Sequence, residues 1–318
     1  MGIHVQDDAN PSLLDRAGPS SDAVENLAPQ LDLLDQMVNY GTNLIIRCFR
    51  GSDRRIEDIV LITVLFKQSL SCLDAISILL RAGASYACHS HLRTIWEAGL
   101  YLDWILKHDS KERCYAYWIA NIRRIRLQHL RGSPGSPEHA TFLDSLGELA
   151  EGYTSPFSEE YAASEIEKAN AILESDDFRI LNARFEKLLK KQKYEAPWYR
   201  PVGAKSVRGI AQDLNRLIEY DIFYSLGSDI VHASSYGGHI ELDGSTMSMQ
   251  GIRGLDSFPT IFSWSFNVIL RTMKSVIGHY RPDELQNFST KFVKEWREPF
   301  RSIPNLSFKS AKIAIDPA

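Results

Sequence analysis

The chain is predicted to be all-α, a multi-helix bundle with a short Gly-rich loop or hairpin inserted near residues 234–256. Three observations predict this. Apolar residues recur every three or four positions through most of the 318 residues, period-two alternation is nearly absent, and 44% of the chain is apolar, enough to bury a sizeable core.

Residues 1–20 are polar and turn-rich, with neither a basic start nor an apolar run, so they read as a disordered segment rather than a signal peptide or anchor. A single helical domain is expected over 21–302, followed by a tail at 303–318. The first helix spans about Ser21 to Phe49 and places Leu27, Leu31, Leu34, Val38 and Ile45 on one side. The next runs from about Arg54 to Ala82 and stops at Gly83, a residue suited to a C-terminal cap. Its apolar stretch, Ile59 to Leu80, is interrupted by Lys67 and Asp74, charges that a bilayer core would resist, so it reads as a buried core helix.

Helices over Ala84–His108 and Ser110–Arg131 follow, and the run GSPGSP at 132–137 is the clearest loop. Shorter helices are expected near His139–Glu151 and Glu159–Gln192, the latter broken around Asp176 and Asp177. The run Lys187, Lys190, Lys191, Lys193 on it reads as a solvated face. Tyr194–Lys205, with two prolines and the Trp198-Tyr199 pair, is a structured loop, and Ser206 is the N-cap of a helix through Glu219. Another helix over Tyr220–Ala233 leads into the Gly-, Ser- and Met-containing stretch, with a hairpin turn at Asp243-Gly244. Helices near Pro259–Tyr280 and Pro282–Arg301 close the domain.

A formal net charge of −4 provides no global attraction to nucleic acid or an anionic membrane. Cys48, Cys72, Cys88 and Cys114 sit singly in helical patterns with no CxxC spacing, so they read as reduced core residues. A cytoplasmic protein is expected, with no membrane partner and no cofactor. As a base rate for bundles with apolar helix faces, a homodimer is expected.

Two polar stripes carry the functional expectations. Tyr86, His89, Arg93, Glu97 and Tyr101 recur three or four residues apart on an otherwise apolar helix, so they share a face. Burying such a stripe costs several kcal/mol for each unpaired charge, so its members need partners. The plain alternative is that Arg93 and Glu97 form an i,i+4 ion pair at the bundle edge. The second stripe is Tyr220, Tyr224, Ser228 and His232, with Asp229 beside it. The sequence SSYGGH after it offers close backbone approach to a ligand.

The elements LRTIWEAGLYLDWIL, WYRPVGAKSVRGIAQ and YSLGSDIVHAS resemble the pattern of a bacterial family known as domain of unknown function 5677. Its Arg-x3-Glu helix, Trp-x7-Ser loop and Tyr-x3-Ser-x3-His helix correspond here to Arg93 and Glu97, Trp198 and Ser206, and Tyr224, Ser228 and His232. The resemblance spans about residues 55–285 and implies an all-helical fold but no established reaction. Some members look like distant relatives of the HEPN bundles, many of which are metal-independent ribonucleases of toxin and phage-defence systems. The HEPN signature, Arg followed by His after four to six residues, is absent from the His232 helix. Arg124 and His129 fit that spacing within the Arg-rich run NIRRIRLQHLRG, where Arg123, Arg124, Arg126 and Arg131 offer the best basic surface for an RNA backbone.

Three readings follow. In a ribonuclease-like site, His232 is general base or acid toward a ribose 2′-hydroxyl, Arg93 stabilises the phosphorane, Glu97 orients the Arg and Tyr224 positions the phosphate; Trp198, Ser206, Arg124, His129 and His239 contact substrate, and no metal is needed. In a small-molecule hydrolase or metal-dependent enzyme, Glu97 and His232 are an acid–base pair, or ligands of one metal together with His89 or His239. In a non-catalytic sensor or partner-binding module, the same residues satisfy one another as a buried network.

Overall fold

A computed structural model of the chain describes residues 14–225, 239–243, 246–304 and 312–315. The fold is all-α with one small sheet, and the described residues group into two compact units. The first unit is drawn from residues 14–53, 62–103 and 214–315, the second from 54–61 and 104–213.

In the first unit, α1 (Ala17–Arg50) begins four residues before its expected start and buries Leu27, Leu31, Leu34, Met37 and Leu44. It packs along the second half of α2 (Ile56–Arg81), whose residues Ile59–Phe66 are wound as a π-helix. A Cβ on Gly41 would lie 2.5 Å from a Leu70 methyl, so the buried Leu70 side chain occupies the space that this glycine leaves open. At the rim, Arg81 pairs with Asp35 at 2.5 Å and Asp32 at 3.2 Å, and Ser77 donates to Asp35 at 2.6 Å.

Gly83 ends α2 as expected. Its φ of +68° is left-handed, its N–H donates to Leu80 at 3.0 Å, and the N–H of Ala84 donates to Leu79 at 2.8 Å; together these form a Schellman cap. Among the described residues α2 is the one helix long and apolar enough to cross a membrane, and half of that apolar window is buried in the fold.

After the turn comes α3 (Cys88–Lys107), whose first part belongs to this unit. Gly254 pins the turn: its N–H donates to Gly83 at 2.7 Å, and its carbonyl accepts from the Ser85 hydroxyl at 2.9 Å. The core is completed by α10 (Phe258–Tyr280), which buries Phe258, Phe262, Phe266, Ile269 and Met273. The last helical run closes over α1, with Trp296 fully buried against Tyr40 and Phe288. The Gln30 amide donates to the carbonyls of Pro299 and Ser302.

The second unit is built on α4 (Ser110–Gly132), capped by Asp109, whose carboxylate accepts from the Glu112 N–H at 3.2 Å. Then come α5 (Pro137–Leu146), α6 (Glu159–Glu174) and α7 (Arg179–Gln192), with the chain turning at 175–178 where the two aspartates interrupt the pattern. Ser136 and Ser158 cap α5 and α6 by accepting from backbone N–H groups. Ser206 caps α8 (Val207–Asp213), accepting from Gly209 N–H at 3.1 Å.

The helix expected through Glu219 stops early. Asn215, at φ +57°, breaks it, and the chain returns to the first unit as α9 (Leu217–Glu219), continued by a π-helical turn at Tyr220–Ser225. A hairpin is expected at Asp243-Gly244; β1 (Ile240–Asp243) and β2 (Thr246–Gln250) are antiparallel and pair as far as Asp243–Thr246, and residues 244–245 between them lie outside the described residues. A third strand, β3 (Lys312–Ile315), lies antiparallel to β2 in what reads from sequence as a tail. The loop at 234–238 lies outside the described residues. All four cysteines are free thiols, and burial pushes Cys48 and Cys88 up to about 12.

Candidate functional site

On α3 the apolar side, Leu92, Ile95, Trp96, Leu100 and Leu102, is buried, while His89, Arg93, Glu97 and Tyr101 form a half-buried polar stripe beside it. Tyr86 stands in the turn that precedes the helix; its hydroxyl is 3.2 Å from His239 Nε2, and its ring stacks edge-on at 4.9 Å from that imidazole. Burial lowers the His89 pKa below the ordinary histidine value, which keeps its imidazole uncharged near neutral pH.

The expected Arg93–Glu97 ion pair is not formed. Glu97 instead accepts from the Tyr101 hydroxyl at 2.5 Å, and the Arg93 guanidinium lies over the Tyr224 ring, 4.1 Å from its centroid. A flat guanidinium on an aromatic face is stabilised without giving up its N–H donors. Among the described residues Arg93 forms no ion pair.

Tyr224 is presented by the π-helical turn after α9, a winding often found at functional sites. Tyr220 and Tyr224 stack at 5.0 Å with an interplanar angle of 14°, and Trp96 packs within 6.3 Å of Tyr220, Phe223 and Tyr224. Phe223 continues the cluster to Trp264 at 4.9 Å.

What holds this aromatic face is an ion network that sequence reasoning missed. Arg216 donates to Asp103 at 2.8 Å and to Glu219 at 2.7 and 2.9 Å; Arg271 donates to both oxygens of Glu219, and Trp96 Nε1 donates to Glu219 at 3.1 Å. Ser275 donates to Asp103 at 2.6 Å. Burial raises the Asp103 carboxyl above the usual range despite the Ser275 hydrogen bond and the Arg216 charge. Burial pushes Glu219 the same way, but its hydrogen bonds and ion pairs with Arg216 and Arg271 outweigh it and hold the carboxyl below the ordinary glutamate value. Two carboxylates and two guanidiniums cancel, so the network is a closed, neutral clamp joining α3, α9 and α10. Its visible sequence signal is the single charge inside each apolar run, Asp103 in LYLDWIL and Arg271 in VILRTM.

Ser228 and His232, and Asp229 between them, lie outside the described residues. In the second unit Trp198 is buried in an aromatic cluster, with Trp104, Tyr117 and Tyr199 at 5.6, 5.4 and 5.9 Å. Ser206 is exposed and caps α8. Arg124 and His129, five residues apart on α4, face different sides: Arg124 is exposed, whereas His129 is buried against Phe157 at 4.4 Å and Tyr161 at 5.5 Å. The expected basic surface also loses Arg123, whose side chain is 1% exposed and held by Glu186, Glu195 and Asn182. Such a guanidinium is already neutralised, and its burial withholds it from a phosphate.

Among the described residues no three His, Cys, Asp or Glu side chains gather as a metal site. The profile of a family described as "Family of unknown function (DUF5677)" matches residues 59–246 of the chain. No curated protein and no solved structure matches it.

Proposed function

We propose that this chain, which belongs to the family of unknown function DUF5677, acts on a phosphodiester without a metal, as a ribonuclease of the HEPN type. The observation that carries the reading is Arg93: a half-buried guanidinium seated on Tyr224, with its N–H groups unclaimed by any described carboxylate. A planar fork of donors at an aromatic wall suits a phosphate oxygen pair, and the stacked Tyr220 and Tyr224 rings suit a neighbouring base.

In such a reaction a base takes the proton of a ribose 2′-hydroxyl and the 2′-oxygen attacks phosphorus. The 5′-oxygen then leaves with a proton from an acid, giving a 2′,3′-cyclic phosphate and a 5′-hydroxyl. Arg93 would stabilise the charge on the phosphorane oxygens. His89, one helical turn from Arg93 and uncharged near neutral pH, is suited to be the base. His232 is the second histidine of this proposal. Glu97, bonded to Tyr101, is left without the Arg-orienting role its spacing suggests.

The test is cleavage of labelled single-stranded RNA by the full chain in chelator. Wild type is expected to produce 2′,3′-cyclic ends and to spare DNA of the same sequence, and folded Arg93→Ala to lose about 100-fold in rate. Folded wild-type protein that leaves RNA intact, or an Arg93→Ala protein of undiminished rate, refutes the reading. A non-catalytic module is the second reading, favoured by the closed Asp103–Arg216–Glu219–Arg271 network, whose four charges satisfy one another.

A further inference from the structure

The charge of the second unit is not evenly spread. Between residues 178 and 212 only Glu186 and Glu195 are acidic, and both are turned onto the buried Arg123, at 2.5 and 2.8 Å. The basic residues of the same stretch are left outside. Lys187, Lys190 and Lys191 recur at i, i+3 and i+4 on one exposed face of α7, and Lys193 follows in the left-handed cap at φ +62°. Among the described residues none of these four lysines forms an ion pair, whereas Lys107, Lys168, Arg179 and Arg184 of the same unit each hold a carboxylate. Tyr194, next in the chain, is 61% exposed. Past the Trp198 loop, Lys205 and Arg208 are exposed as well.

A lysine in the last turn of a helix is favoured by the helix dipole. That accounts for Lys190 and Lys191, but it does not explain Lys187, one turn earlier, or an exposed aromatic ring beside the cluster. Four lysines alone are drawn only weakly to an anionic bilayer, stable seating there takes an apolar helix face as well, and the apolar face of α7, Leu181 and Phe185, is already buried in the protein. Adjacent cations on one face beside an exposed ring fit a single-stranded polyanion whose bases can stack.

We infer that the C-terminal half of α7 with Tyr194 is a docking surface for single-stranded RNA, the lysines holding phosphates and Tyr194 stacking a base. The site is distinct from the Arg93 face and does not depend on cleavage. It is therefore tested with a 2′-O-methyl RNA oligonucleotide, which lacks the nucleophilic hydroxyl and reports binding alone.

Fluorescence anisotropy between 50 and 200 mM salt is the readout. Four lysine–phosphate contacts on a single strand correspond to a slope of log K against log salt near −2.8, an affinity loss of about 50-fold over that range. Lys190→Gln/Lys191→Gln is expected to halve the slope, to about −1.4, reducing the loss to about 7-fold. Tyr194→Ala is expected to weaken binding by about tenfold with the slope unchanged. Lys274→Gln/Lys294→Gln alters two exposed lysines of the other unit and makes the same change in net charge; it is expected to behave as wild type. No binding of the oligonucleotide by the wild type, equal slopes in all proteins, an equal fall in the control pair, or lysine-dependent binding to phosphatidylserine vesicles without binding to the oligonucleotide overturns the inference.

Discussion

Replacing Glu219 by alanine removes the acceptor at the centre of the clamp. Arg216, 9% exposed at its side chain, keeps only Asp103, and the Trp96 indole N–H loses its 3.1 Å partner. Breaking a buried pair from one side costs about 3–5 kcal/mol, and an orphaned buried donor costs about 1–3 kcal/mol. Arg271 contributes little to this sum: its side chain is 43% exposed and regains water, so its share is about 1 kcal/mol or less. Because Asp103 still holds Arg216, the total is set at about 4 kcal/mol, equivalent to a fall in melting temperature of about 8–16 °C. Urea unfolding followed by tryptophan fluorescence reads this directly, since Trp96 is itself a partner. Arg271→Ala serves as the comparison and is expected to cost about 1 kcal/mol or less. A Glu219→Ala protein no less stable than Arg271→Ala would show that the network is not buried in energetic terms and would refute the reasoning.

Acid sensitivity follows from the same residue. The Glu219 carboxyl is held below its ordinary value, so its contribution to stability is fully present above the unfolded-state pKa of about 4.3 and is lost as pH falls through the folded value. Asp103, raised by burial, works in the opposite sense and partly offsets it. Glu219→Gln is expected to flatten the acid limb of a stability–pH curve, and a limb as steep as wild type's would count against the assignment. In the second unit, Arg123→Ala strands Glu186 and Glu195 and is expected to destabilise by about 3 kcal/mol in thermal unfolding. A cost under about 1 kcal/mol would mean that Arg123 is replaceable by water.

Much of the fold was legible because its signals are local. The spacing of Leu27, Leu31 and Leu34 declares the buried side of α1, Gly83 marks the end of α2, and Ser206 the start of α8. The pairing of β1 with β2 was equally readable, since strands two residues apart need no distant partner. β3 was not, because four residues become a strand only when β2 offers its edge.

The site was half legible. Helical spacing alone puts Arg93 and Glu97 on one face, and a sequence reader pairs them because they are neighbours. Side-chain partners are chosen by distance and desolvation, however, and only the tertiary fold brings Tyr224 under Arg93 and leaves Glu97 to Tyr101. The same holds for the clamp: Asp103, Arg216, Glu219 and Arg271 are separated by up to 168 residues and appear in sequence as unrelated single charges. Periodicity and capping, being local, determined the helices of this protein from its sequence. Which charges are neutralised and which remain free was decided by the packing of segments far apart in the chain.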